Sequence, residues 1–209
     1  MRTVAALFIA TGGHYFGLPG VEPWDIVRDA RNYAGPHPVV AHPPCERWGR
    51  YWSGGPSARV RRELGDDAGC FASALESVRR WGGVLEHPEA SHAFKRFGLT
   101  IPEKRGGWVT SGCGWTCCVE QGHYGHPARK AAWLYVVGVE PPVLTWGKSA
   151  GVRLDEGFHS KAERDAARAA GIAPIKRLST KQNLATPPAF AELLISMARS
   201  SRVEARTAA

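Results

Sequence analysis

A chain of 209 residues is long enough for one well-buried core with at most a small appendage, and 44% hydrophobic against 22% charged residues marks it as globular. No apolar run reaches the roughly 20 residues a membrane span needs, and the apolar stretch after Met1-Arg2 is too short, and lacks the cleavage pattern, for a secretory signal, so a cytoplasmic protein is expected. A net charge of +8 favours an anionic partner, nucleic acid first, and five cysteines, an odd number with three crowded at 113, 117 and 118, do not form a secreted disulfide framework.

In chain order, Val4 to Ala10 predicts a first buried strand, broken by a turn at Thr11-Gly12-Gly13. A glycine pair after a strand is where a nucleotide-type cofactor would meet a sheet, although such a pair is also a common plain turn. From Gly17 to Pro38 the chain is rich in Gly, Pro and Trp; one short helix is predicted over Trp24 to Tyr33, with little room for more. Val39, Val40 and Ala41 are too few for a helix and β-branched enough for a core strand. Pro43 and Pro44 lack the N–H groups to extend a central ladder, so the strand stops and Cys45 falls just beyond its end. Ligands of open α/β sheets bind at that position.

The run Arg47-Trp48-Gly49-Arg50-Tyr51-Trp52 interleaves aromatic and basic residues, a pattern that stacks bases and holds phosphates or simply anchors a loop by its tryptophans. Phe71, Leu75 and Val78 have helical spacing, and Gly82-Gly83 ends that helix before the strand Val84-Leu85-Glu86. A strand, crossover helix and parallel strand are thereby outlined between residues 38 and 86. Residues 92 to 114 read as a polar, glycine-rich loop. Trp115 to Glu120 and Ala132 to Val139 predict two strands joined by an unusually long connection, Gln121 to Lys130, rich in His, Arg and Lys. Ser160 to Glu163 has the form of a capping box for a helix running to Gly171, and Thr186-Pro187-Pro188 introduces a last helix whose Phe190, Leu193, Leu194, Met197 and Ala198 should face the sheet. The expected organisation is one α/β domain over residues 1–199 and a frayed tail over 200–209.

Two strands end in the same grammar, a short apolar run, a polar residue and a proline, which points to one site shared by Cys45 and Glu86. Taken alone, Cys45 is equally readable as a small buried hydrophobe. Cys113, Cys117 and Cys118 with His123 and His126 raise a zinc site, but Cys118 would face away from Cys117 on a strand. The His-x-Glu and Pro-Cys-x-x-Cys pairing of zinc deaminases is absent, since Glu46-Arg47-Trp48 follows Cys45.

The order Pro43-Pro44-Cys45, then Glu86-His87-Pro88, then Gln121 through Tyr124-Gly125-His126-Pro127-Ala128-Arg129-Lys130 before an apolar strand, resembles the DNA cytosine-5 methyltransferase family, especially its short phage-encoded members. The segment from Lys181 to Pro188 is similar to that family's C-terminal Gly-Asn-Ala-Val-Pro-Pro segment. The resemblance covers roughly residues 38 to 138 and 180 to 199. It implies a Rossmann-like methyltransferase-type sheet, mainly parallel with an antiparallel hairpin towards the C-terminal half, DNA as partner and S-adenosylmethionine as methyl donor. The roles it implies are Cys45 as the nucleophile on carbon 6 of a flipped cytosine, Glu86 at ring nitrogen 3 and Arg129 orienting the ring. Phe8, Gly12, Gly13, Asp25, Pro43 and Asn183 would lie along the cofactor, Asp25 being the nearest acidic candidate for its ribose. His87, Arg47, Trp48, Gln121, Tyr124 and Lys130 would line the substrate. Glu86-His87 stands where the family has Glu-Asn, and no target-recognition domain of usual size fits, so specificity would be low or supplied by a separate protein. The alternatives are a nucleic-acid-binding remnant of the fold without catalysis, and a zinc-stabilised DNA-binding protein.

Overall fold

The structure is a computed structural model in which residues 1–54, 62–151, 161–171 and 178–203 are described. The short apolar runs form strands buried on both faces: β1 (Val4–Leu7), the half-buried edge strand β2 (Val21–Trp24), β3 (Val39–Ala41) and, after helix α1 (Cys70–Trp81), β4 (Gly83–Pro88). These four are mutually parallel in the order β2-β1-β3-β4. The crossover predicted between residues 38 and 86 is therefore β3, α1 and β4. The sheet continues from β4 through β7 (Ala131–Val137), β6 (Gly114–Glu120) and β5 (Val109–Ser111), every pairing antiparallel. The result is a seven-stranded mixed sheet in an α/β fold. Its antiparallel part is a three-strand meander added to β4, larger than the single hairpin expected.

Two further expectations need correction. No helix forms from Trp24 to Tyr33: Trp24 ends β2, and only a 3₁₀ turn at Ala30–Asn32 follows. Asp25 accepts the Val27 and Arg28 N–H groups on its side chain, and Asp29 sits at φ 52°, so local side-chain bonds replace the helical ladder. Pro23 is tolerated because β2 is an edge strand. Residues 92 to 114 are not one loop either. Ser91 accepts the Ala93 N–H and starts α2 (His92–Arg96), which buries Ala93 and Phe94, and β5 follows.

Side chains alternate strictly across the sheet. Val4, Ala6, Val40, Val84, Cys117, Leu134 and Val136 share a cluster with Phe190, Leu194, Ile195 and Met197 of the last helix. Ala5, Leu7, Val39, Ala41, Leu85, Cys118 and Tyr135 share another with Phe71, Leu75 and Val78 of α1 and Phe94 of α2. Helix α3 (Lys161–Ala169) and the short α4 (Thr180–Leu184) precede α5 (Pro188–Ser200), which starts with Pro188 in its first turn as predicted. The predicted cap at Ser160 lies outside the described residues. Each large side chain that α5 buries contributes about 1.5–3 kcal/mol, so Leu194, fully enclosed, is a principal tie between α5 and the sheet. The start of the expected frayed tail is ordered: Ser201 is buried and the Arg202 N–H donates to the Gly138 carbonyl. Residues 204–209 lie outside the description. No helix among the described residues is long and apolar enough to cross a membrane.

Candidate active site

The carboxyl ends of β3 and β4 build the site. Ala41 is in register with Leu85, so His42 arrives beside Glu86 on the α5 face, in step with Val40 and Val84. Pro43 and Pro44 then turn the chain away, and the Cys45 carbonyl accepts the N–H groups of Trp48 (3.0 Å) and Gly49 (2.8 Å), closing a tight turn that leaves Cys45 half-buried. Cys45 and Glu86 thus belong to the same end of adjacent parallel strands, as their shared sequence grammar predicts.

Glu86 is enclosed and has a partner for each oxygen. Oε2 accepts from His42 Nδ1 at 2.9 Å and Oε1 accepts from Gln121 Nε2 at 3.1 Å. His42 Nε2 lies 2.7 Å from the Tyr15 hydroxyl, which is itself buried. Burial alone would raise the Glu86 carboxyl, but His42, by hydrogen bond and then by charge, and after it the positive charge of Lys130 outweigh it and hold the group below its ordinary range. Burial and then the nearby Glu86 carboxylate push the Cys45 thiol up, with Lys130 pulling the other way. Lys130 is pushed down by burial, resisted by Glu86 and Cys45. The resting site is a protonated thiol beside an ionised carboxylate, with one ammonium acting on both.

The connection from β6 to β7 delivers Gln121 and Lys130 to this site. It begins in a 3₁₀ turn at Gln121–Tyr124, and the Gln121 N–H donates to the Lys130 carbonyl, so its two ends stay together. Lys130 Nζ donates to the Leu184 (3.4 Å) and Ala185 (3.1 Å) carbonyls, and His126 Nε2 lies 3.1 Å from the Gln182 carbonyl. The segment before α5, including half-buried Asn183 with its buried and unpartnered Oδ1, is thereby drawn to the same end of the sheet. Arg129 turns elsewhere: its Nε donates to the Gly151 carbonyl at 2.7 Å.

Other expected contacts fall differently. Trp48 is buried, its indole N–H donating to Asp67 while the ring packs on Phe71 and Phe97, so it anchors the Cys45 loop rather than offering a stacking face. Tyr124 packs against Phe190 of α5, and His87 points to the opposite face of the sheet, edge-on to Phe71. Arg47, directly after the cysteine turn, keeps a buried Nη1 without a partner among the described residues. Cys117 and Cys118 do face opposite sides; Cys113 is exposed, and His123 and His126 bond to carbonyls. Among the described residues no group of three or more His, Cys, Asp or Glu side chains is arranged to hold a metal ion. Strand alternation thus keeps Cys117 and Cys118 from sharing one ion.

In the turn after β1, nothing lies within 4 Å of where a side chain on Gly12 would begin, whereas one on Gly13 would meet the Ala10 carbonyl oxygen at 2.9 Å. Phe8, at φ 58°, leads into that turn. Asp25 faces this turn and accepts from the Thr11 hydroxyl at 2.7 Å as well as from Val27 and Arg28. These bonds hold the carboxylate below its ordinary range, the Thr11 hydroxyl contributing most. Ile26 and Val27 beside it are almost fully exposed, 87% and 82%. Sequence reasoning missed His42 and Tyr15. His42 was detectable from strand alternation, two residues after Val40 and in step with Glu86, whereas Tyr15 follows a glycine turn and carries no periodic signal. Comparison with protein-family profiles, curated proteins and solved structures gives no match.

Proposed function

We propose that the chain is a DNA cytosine-5 methyltransferase-type enzyme on a Rossmann-like methyltransferase-type sheet. One observation carries the reading: a cysteine and a buried carboxylate occupy the carboxyl ends of adjacent parallel strands, joined by hydrogen bonds and charge to a lysine and a glutamine from the connection between β6 and β7. In this reading Cys45 Sγ bonds to carbon 6 of a flipped cytosine, ring nitrogen 3 gains a proton from Glu86, and the electron pair of the 5,6 double bond becomes available at carbon 5. Once carbon 5 is substituted, its proton passes to solvent, the double bond re-forms as Sγ departs, and the nitrogen 3 proton returns to the Cys45 thiol through Glu86. S-adenosylmethionine, when bound, would supply the methyl group; Gly12, Gly13 and Asp25 would hold its nucleoside portion, with Asn183 and Pro43 as its further neighbours. Arg47, directly after the cysteine turn, would meet a DNA phosphate, and Arg129 would reach the nucleic acid from the rim.

The test is covalent trapping. DNA carrying 5-fluorocytosine, incubated with the protein and S-adenosylmethionine, is expected to give an adduct that survives denaturing electrophoresis, and Cys45→Ser is expected to abolish it. An equal adduct yield from Cys45→Ser overturns the assignment. Absence of S-adenosylmethionine binding by calorimetry, together with retained DNA binding, identifies a non-catalytic remnant instead.

A further inference from the structure

Tyr15 and His42 have no part in the chemistry just described, yet they form a buried line of hydrogen bonds that ends on Glu86. The Tyr15 hydroxyl is 2.7 Å from His42 Nε2, and His42 Nδ1 is 2.9 Å from Glu86 Oε2. The two rings also pack together, centroids 5.4 Å apart. Burial and the Glu86 charge push the Tyr15 phenol well above its ordinary value, so its hydroxyl keeps its proton. An ionised carboxylate only accepts, so His42 Nδ1 is the donor aimed at it. Gln121 fixes the other oxygen. Every link thus favours Glu86 as an oriented carboxylate with no proton of its own.

We propose that Tyr15 and His42 are positioning residues that keep Glu86 an aimed base, so that it first takes the thiol proton of Cys45 and then passes that same proton to the substrate ring nitrogen. The inference rests on the cytosine reading above. The balance is closed within the site: the S–H bond breaks as the carboxyl O–H forms, Sγ bonds to carbon 6, and the proton on Glu86 moves to nitrogen 3. No outside acid is required. The groups facing Glu86 are Tyr15 from the loop after β1, His42 and Cys45 from the end of β3, Gln121 and Lys130 from the β6–β7 connection, and His87 from the far face of β4.

The experiment uses the full chain and the variants His42→Ala, His42→Asn and Tyr15→Phe, each checked for the parent's circular dichroism. Carbon-13 titration of the Glu86 carboxyl in the free protein gives a readout independent of DNA, and the pH dependence of 5-fluorocytosine adduct formation gives the second. In His42→Ala the Glu86 titration and the acid limb of adduct formation are expected to move up together by at least one pH unit, with a tenfold or greater loss of rate on that limb. Asparagine, which returns an N–H near the Nδ1 position, should restore part of the shift, and Tyr15→Phe should give a smaller shift in the same direction. If the parent traps DNA while both His42→Ala and Tyr15→Phe leave the carboxyl titration and the acid limb unchanged, the positioning role is overturned and the cytosine reading survives. If the parent traps no DNA, the cytosine reading fails and the proton transfer proposed here fails with it.

Discussion

His87 should make the protein acid-sensitive, by an amount that follows from its surroundings. The ring is fully enclosed on the α1 face of β4, edge-on to Phe71 at 5.2 Å, with the Pro44 carbonyl as its polar backbone neighbour. Burial pushes its pKa from 6.5 down to about 4, with Glu86 first and then the Pro44 carbonyl opposing only part of the effect. The unfolded chain binds a proton at His87 more readily than the folded chain does, so stability falls as pH drops from 6.5 towards 4. At about 1.4 kcal/mol per pKa unit the loss approaches roughly 3 kcal/mol, most of it present by about pH 4.5. The perturbation is His87→Leu, which fills similar space and removes two buried nitrogens at the loss of at most one hydrogen bond, so its stability near pH 7.5 should stay within about 1 kcal/mol of the parent. Urea unfolding of both proteins at pH 7.5 and 4.5 measures the difference. Other carboxylates and histidines titrate in both proteins and cancel, leaving the leucine variant about 2–3 kcal/mol ahead at the lower pH. Parallel losses in parent and variant, agreeing within about 1 kcal/mol, would refute the reasoning.

Lys130→Gln removes the positive charge acting on Cys45, so the thiol should titrate higher and its alkylation by iodoacetamide at pH 8, followed by peptide mapping, should slow about threefold; an unchanged rate would mean that Lys130 does not act on the thiol. At Gly83, where φ is +116°, an added Cβ would sit 2.0 Å from the Val39 carbonyl oxygen across the β3–β4 pairing. Backbone strain and overpacking together predict a loss of about 4 kcal/mol in Gly83→Ala, and a thermal midpoint equal to the parent's would contradict that register.

What the sequence determined was the part governed by local rules. Runs such as Val39-Val40-Ala41 and Val84-Leu85 can only be buried strands, Pro43-Pro44 must end one, and the 3- and 4-residue spacings of Phe71, Leu75, Val78 and of the α5 residues write helices directly. With β3, α1 and β4 so fixed, a right-handed parallel crossover brings Cys45 and Glu86 to one end of the sheet before any coordinates exist. Alternation likewise separates Cys117 from Cys118. Tertiary structure decided whatever depends on partners distant in sequence. Trp24 to Tyr33 has helical composition, yet Trp24 pairs with Leu7 and Asp25 takes the N–H groups a helix would have used. Trp48 reads as a stacking residue until Asp67, Phe71 and Phe97 are seen to enclose it. Tyr15 meets His42 across 27 positions of chain, and Lys130 meets Leu184 across 54. A hydrogen bond of that kind leaves no period or spacing in the sequence; it exists only because the sheet brings its strand ends together.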